Sequence, residues 1–378
     1  MPQPSTHAIS TPALLIDESI FSANIARMND CMARLGVPLR PHLKTVKNIE
    51  LARLMLRGHP GGATVSTLAE ADYFFQAGLD DLTYAVGISP GRFDAVASRL
   101  HDGLSLTLIL DHPDTARALG DYARRKSIDF QVLIELDADG DRAGLDPDSP
   151  ELLETAELLR AHRLGLRGVL VHAGGSYGCR SSAELTAMAE RERQAAVGAA
   201  GRLRAQGHAI DVVSVGSTPT ALFAERLDGV TEVRAGVYSC MDLVMVGLGV
   251  CSVDDIAISV LTEVIGHRPA TGELLIDAGW MALSRDRGTA GHAQDQGYGL
   301  VRDAEGGPMN PELIVRATNQ EHGIVAARSG ASIPLKRFPI GSRLRILPNH
   351  ACATAAQFER LISIGDELNV LPRCRGWG

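Results

Sequence analysis

The sequence predicts a (β/α)8 barrel followed by a second, β-rich domain. Three observations lead there. Between residues 39 and 235, eight short apolar runs alternate with helical patterns. Most of these runs are continuously apolar, as in VLIEL and GVLVH. Strands buried on both faces of a parallel sheet look like that. After Tyr238 the pattern changes to short strands separated by Gly, Pro and Asp. Eight strand–helix units in about 200 residues match a closed barrel. A doubly wound open sheet is the alternative, disfavoured because no Gly-x-Gly-x-x-Gly follows the first strand.

In chain order, residues 11–17 read as a strand and 20–35 as a helix. Barrel strands are expected at 39–45, 63–67, 82–86, 104–110, 130–136, 166–172, 212–216 and 231–235. Helices fall between them at 46–56, 69–77, 90–100, 113–126, 150–162 and 183–206, with a last one at 220–227. The β-module has strands at 256–265, 273–276, 299–301, 312–317, 323–326 and 343–347. The expected domains are a barrel over 18–248 and a β domain over 249–378, joined by a strand from residues 1–17.

Composition narrows the function. The chain has 378 residues, 45% hydrophobic and 22% charged, as soluble globular proteins do. A net charge of −8 argues against nucleic acid as a partner. The longest apolar stretch, 243–253, is shorter than the ~18–20 residues of a membrane span. Residues 1–10 are polar and lack the basic start and apolar core of a signal peptide, so cytoplasm is expected. Six cysteines without Cys-x-x-Cys spacing point away from a disulfide framework or a four-cysteine zinc site.

In such a barrel the active site lies at the carboxyl ends of the strands. The first strand ends in Arg40-Pro41-His42-Leu43-Lys44-Thr45. A neutral amine attacks an aldehyde carbon, and positive neighbours lower a lysine pKa. Arg40, His42 and Lys47 supply that positive crowding in the sequence, although a wet basic turn has the same composition. The other strand ends bring Ser66 and Thr67, Tyr84, Asp111, Asp137 with Arg142, His172, Gly216-Ser217-Thr218, and Gly236 with Tyr238. In Gly216-Ser217-Thr218-Pro219-Thr220, a glycine allows close backbone approach and hydroxyls sit at a helix start, which suits a phosphate as well as an ordinary cap. The loops after strands seven and eight are the usual phosphate position. A phosphate grip opposite a strand-end lysine suggests pyridoxal 5′-phosphate (PLP), an aldehyde cofactor with a phosphate handle.

A second constellation, Pro348-Asn349-His350-Ala351-Cys352, lies near the C-terminus. If that segment is extended, residues i and i+2 share one face. His350 and Cys352 would then share a divalent metal, Zn²⁺ by ligand type, with Mn²⁺, Co²⁺ or Mg²⁺ as alternatives. Gln320, in Asn319-Gln320-Glu321-His322, is a candidate near the substrate. Arg285, in Arg285-Asp286-Arg287, is a candidate for a second substrate carboxylate, with a surface ion pair as the plainer possibility.

RPHLKT, ATVSTLAEAD, the Asp-x-Asp-Gly-x-Arg loop, VHAGGSYGC, SVGSTPT, EVRAGVY, DAGWMALSRDRGTA, NQEHGI and RILPNHACATAAQF run over nearly the whole chain. Together they resemble segments of the fold-type III PLP enzymes of the D-threonine aldolase and D-serine dehydratase group, related to alanine racemase. Within it the sequence is most similar to members that dehydrate D-threo-3-hydroxyaspartate. The resemblance implies an alanine racemase-type barrel and an antiparallel homodimer acting on a D-amino acid. It implies that Lys44 carries PLP, that Gly216, Ser217, Thr218, Gly236 and Tyr238 hold its phosphate, and that Arg142 faces the pyridine nitrogen. His172 would face the ring, Tyr177 the substrate, and His350 with Cys352 the metal. Aldolase members tend to carry His-x-Asp where this chain has His350-x-Cys352, which favours dehydration of a 3-hydroxy-D-amino acid to a 2-oxo acid and ammonia. An aldolase, a non-catalytic PLP carrier and a metal-free sugar-phosphate enzyme remain as alternatives.

Overall fold

The computed structural model describes residues 6–59 and 61–377. The first five residues, part of the segment read above as lacking a signal peptide, lie outside the described residues. The chain forms two compact units, one built from Arg27–Gly236 with the last residues from Gly376, the other from the N-terminal residues to Ala26 with Val237–Arg375.

After β1 (Ala13–Asp17), eight parallel strands form one sheet among the described residues. They are β2 (Leu39–Pro41), β3 (Ala63–Val65), β4 (Asp81–Gly87), β5 (Ser105–Leu110), β6 (Gln131–Leu136), β7 (Gly165–Val171), β8 (Val212–Val215) and β9 (Glu232–Ala235). Their order is β2-β9-β8-β7-β6-β5-β4-β3. A parallel bridge from His42 to Thr64 joins the two ends, so the sheet closes into the barrel the sequence predicts. The helices are α1 (Glu18–Leu35), α2 (Ile49–Met55), α3 (Leu68–Gln76), α4 (Phe93–His101), α5 (Pro113–Lys126), α6 (Pro150–Ala161), α7 (Ser182–Ala205) and α8 (Thr218–Phe223). Five of six residues in β5 and all six in β6 are wholly or partly buried in an unbroken run, and Ile109, Leu133 and Leu170 of β5, β6 and β7 pack as one cluster.

The first barrel strand is shorter than expected. It stops at Pro41, which has no N–H to continue the ladder. The chain then turns: Leu43 N–H donates to Thr64 O at 2.9 Å, Lys47 N–H donates to Leu43 O at 2.9 Å, and Lys47 has a positive φ of 46°. The following helix starts later than expected because the Asn48 side chain caps it, accepting from Leu51 N–H at 3.0 Å. Lys44 therefore stands on a tight turn just past a strand end.

The second unit is a nine-stranded sheet ordered β11-β14-β13-β12-β15-β10-β1-β16-β17. Its strands are β10 (Ile258–Arg268), β11 (Glu273–Ile276), β12 (Leu300–Asp303), β13 (Pro308–Thr318), β14 (Gly323–Ala327), β15 (Arg343–Leu347), β16 (Arg360–Ile364) and β17 (Leu368–Pro372). Three short helices, α9 (Leu243–Gly247), α10 (Trp280–Leu283) and α11 (Ala351–Ala355), interrupt it. β1 pairs antiparallel with β10 and parallel with β16. The antiparallel hairpin β16–β17 was absent from the expected strands. Its signal was present, two β-rich runs around Gly365-Asp366-Glu367.

Candidate active site

The barrel turns gather a group of nitrogen bases. Lys44, Arg142 and Arg234 all act electrostatically on the His172 imidazole. Burial drives that imidazole down to about 3, the Gly216 carbonyl opposes this from 3.1 Å, and the three cations reinforce it. The His42 imidazole lies well below its usual value for the same reasons, burial first, then Lys44, Arg234 and His172. Both rings are neutral near pH 7. The positive crowding expected around Lys44 needs correction. Arg40 is forked between Asp81 at 3.1 Å and Glu232 at 2.8 Å, and Lys47 pairs with buried Glu70 at 2.9 Å. His42 is uncharged, and Arg234 and Arg142 act on the His172 imidazole together with Lys44.

The loop after β8 is fixed by a capping box. Ser217 accepts from Thr220 N–H at 3.2 Å, and Ser217 N–H donates to Thr220 Oγ1 at 3.0 Å. The helix thus begins at Thr218, two residues before the expected start. Ser217 Oγ also lies 3.1 Å from Ser176 Oγ, bringing the loop after β7 alongside. Gly216 has φ +129°, and a Cβ there would sit 2.4 Å from Arg234 O. A Cβ on Gly236 would sit 2.8 Å from His42 O. Gly216→Ala is therefore expected to destabilise the protein by about 1–3 kcal/mol and to weaken PLP binding. Thermal melting with a PLP titration checks this; an unchanged PLP affinity would remove Gly216 from the phosphate grip that the resemblance implies.

Two residues that hold this group went unnoticed in the sequence. Buried Glu192 of α7 accepts from Ala173 N–H at 2.9 Å and Gly216 N–H at 3.0 Å, tying the two loops together. Its distance in sequence, in the middle of a helix, hid it. Arg234 lies inside the short strand Glu232–Ala235 and not at its end, where a site residue is expected, and donates to Ser214 Oγ and Val171 O, each at 2.7 Å. Tyr177 is on the surface with its ring centroid 6.4 Å from that of His172. Arg142 is largely exposed, with its guanidinium 3.9 Å from Glu135. Tyr238, in the other unit, is fully buried, and burial pushes its hydroxyl pKa up. An amine on a turn, neutral imidazoles, arginine and a hydroxyl-bearing loop fit an aldehyde cofactor with a phosphate.

In the second unit the segment 350–352 is not extended, as the shared-face argument required. His350 is the N-cap of α11 and Cys352 lies inside that helix. The two side chains still meet. Against burial, hydrogen bonds to Asp286 and Cys352 and the Cys352 and Asp242 charges push the His350 imidazole up to about 11. His350 Nδ1 lies 2.8 Å from Asp286 Oδ2, and that hydrogen bond holds the Asp286 carboxyl below its usual range. Asp242 is buried and accepts from Ala351 N–H at 2.9 Å. No cluster of three or more His, Cys, Asp or Glu side chains able to hold a metal is present among the described residues. A thiol beside an imidazole whose Nδ1 is held by a carboxylate does fit a divalent ion with open positions. In the sequence Asp286 stands between Arg285 and Arg287, where a carboxylate reads as part of a local ion pair. Arg285 is exposed and stacks 3.8 Å over Trp280, while Arg287 pairs with Asp295 at 2.6 Å. Gln320 is exposed.

Comparison with known proteins places these features. Residues 16–243 match the model "Alanine racemase, N-terminal domain", and residues 257–364 match "Putative serine dehydratase domain". The chain is 48% identical over 98% of each sequence to D-threo-3-hydroxyaspartate dehydratase of Delftia sp. (strain HT23). It is 30% identical to D-serine dehydratase of Dictyostelium discoideum, over 96% of this chain and 95% of that one. Two solved structures of the Delftia-type dehydratase, the HT23 enzyme and a cysteine-to-alanine mutant in the metal-free form, each match with TM-score 0.97 and 47% identity. Each match covers 99% of this chain and 100% of the other.

Proposed function

The chain belongs to the alanine racemase-like, fold-type III PLP family, and from that premise we propose that it is a PLP- and metal-dependent dehydratase. Its substrate is a 3-hydroxy-D-amino acid, D-threo-3-hydroxyaspartate foremost, with D-serine and D-threonine as lesser ones. The products are a 2-oxo acid and ammonia. The observation that carries this reading is His350 beside Cys352 with its Nδ1 held by Asp286. The names of the relatives at 48% and 30% identity support it.

PLP, when bound at Lys44, supplies an electron sink for charge at Cα, and a divalent ion at His350 and Cys352 supplies a Lewis acid for the 3-hydroxyl. The chain's own residues do the rest. Lys44 Nζ takes the proton from Cα. His172 and His42, being neutral, add no charge near that amine. Glu192 fixes the loops that carry Gly216 and His172, and the Ser217 hydroxyl and Thr218 grip phosphate. With PLP bound, Gly236 and Tyr238 would be further phosphate contacts, and Arg142 would face the pyridine nitrogen and keep it unprotonated. Asp286 accepts from His350 Nδ1–H, so that Nε2, on losing its own proton, would hold the metal, Zn²⁺ or one of Mn²⁺, Co²⁺ and Mg²⁺. Tyr177, Gln320 and Arg285 are the side chains proposed to meet substrate. The same reading makes the protein a cytoplasmic homodimer with small-molecule partners. No helix among the described residues is long and apolar enough to cross a membrane.

Product analysis tests the proposal. Purified protein with PLP and Zn²⁺ or Mn²⁺ is given D-threo-3-hydroxyaspartate, D-serine and D-threonine, with and without EDTA. A 2-oxo acid plus ammonia, lost on chelation, is the expected result. Glycine plus glyoxylate or acetaldehyde would make the protein an aldolase instead.

A further inference from the structure

The second unit contains a pair of arginines that the reaction does not use. Arg302 of β12 and Arg345 of β15 sit directly opposite one another in the strand register. They are 7% and 6% exposed. Like charges at directly opposed positions repel, and burial removes the water that would screen them. Their protein partners offset this in part. Arg302 reaches one carboxylate, Asp254 at 2.8 Å, whose own side chain is 88% exposed. Its buried Nε has no hydrogen-bond partner among the described residues. Arg345 Nε donates to a backbone carbonyl, Ala304 O, at 2.7 Å. Burial lowers the Arg345 pKa, with the charges of Asp17, Glu305 and Asp303 opposing.

Both arginines line a cavity of about 230 Å³, which also takes in Asp17, Ser259, Asp254 and Glu305. That volume is below the drug-sized range and suits a molecule of several heavy atoms. The cations lie on β12 and β15, while among the carboxylates Asp17 ends β1 and Asp254 and Glu305 lie outside the strands. Asp17 engages Ser19 and Ile20 through Oδ1. Glu305 is exposed on the turn after β12.

We propose that this cavity binds a small zwitterionic amino acid, its carboxylate on Arg302 and Arg345 and its ammonium toward Asp17 and Glu305. A guanidinium fork matches a carboxylate, and an N–H left without an acceptor gains most from one. A dianion such as phosphate or succinate meets the same arginines but is repelled by three carboxylates. The site is independent of the dehydratase reading, since it is defined by binding and not by turnover.

Calorimetric titration of the PLP-loaded protein tests this, with L-serine, succinate and inorganic phosphate as probes and the cofactor's absorbance recorded alongside. L-serine is expected to bind one per chain at or below about 1 mM, at least tenfold more tightly than succinate or phosphate. The absorbance stays unchanged, because the cofactor is not touched. Arg302→Gln weakens L-serine by about tenfold or more. Should that variant fail to fold, Glu305→Gln, on an exposed turn, weakens L-serine about threefold and leaves succinate no weaker. No binding of L-serine at 10 mM (a concentration about tenfold above the expected constant) overturns the proposal. So does equal binding by whichever variant folds, tighter binding of either dianion, or an absorbance change that saturates with the heat.

Discussion

Lys44→Ala is expected to lower turnover of D-threo-3-hydroxyaspartate by roughly 10⁴-fold or more, with little change in melting temperature. The amine has two tasks in the proposed reaction: it carries the cofactor and it moves the Cα proton. Losing a single positioned general base costs about 10²–10⁴-fold, and losing the covalent tether adds to this. The fold is expected to survive because Lys44 is half-buried on a turn, while its buried neighbours Leu43 and Thr45 remain. Single-turnover assays with a spectrum of the bound cofactor give the check. A small amine added to the medium is expected to restore part of the proton transfer. If the variant keeps a tenth of wild-type activity (against the roughly 10⁴-fold loss expected), Lys44 is not the base.

His350→Ala is expected to abolish the metal requirement together with most of the activity. A Lewis acid on a leaving hydroxyl is worth several kcal/mol, which corresponds to about 10³-fold in kcat. Asp286→Asn gives the graded comparison. It keeps the imidazole but loses the carboxylate 2.8 Å from Nδ1, so metal affinity falls by about 10–100-fold while excess metal recovers kcat. Metal titrations of kcat on the three proteins separate the cases. Full activity of His350→Ala in EDTA would show that the hydroxyl leaves without metal help.

Much of this is legible in the sequence alone. Continuous apolar runs give the parallel barrel because a strand covered on both faces has no polar side to show. Polar residues directly after such runs mark the site because the barrel interior admits few of them. What the sequence concealed is of two kinds. Backbone detail at Pro41, Asn48 and Ser217 moved each boundary by a few residues, since one missing N–H or one capping oxygen decides where an element ends. Charge partners were concealed more thoroughly. Arg40 and Lys47 read as bare cations, yet their carboxylates come from Asp81, Glu232 and Glu70. Glu192, Asp286 and Asp242 act on residues that only folding brings near. Composition records that such charges exist; it is silent on which face which.

The seat of β1 in the second sheet sets an order of events during synthesis. Its antiparallel partner, Leu261 for Ala13, emerges from the ribosome roughly 250 residues later, and its parallel partner in β16 later still. At about 5–20 residues per second that is a wait of some 10–50 s. All the barrel strands are made in the interval, each pairing with a neighbour in sequence except β2, which also pairs with β9. Ala13, Leu14, Leu15 and Ile16, buried in the finished protein, remain uncovered throughout. The nascent chain therefore carries a short sticky leader, a natural grip for a chaperone, until its last hundred or so residues arrive.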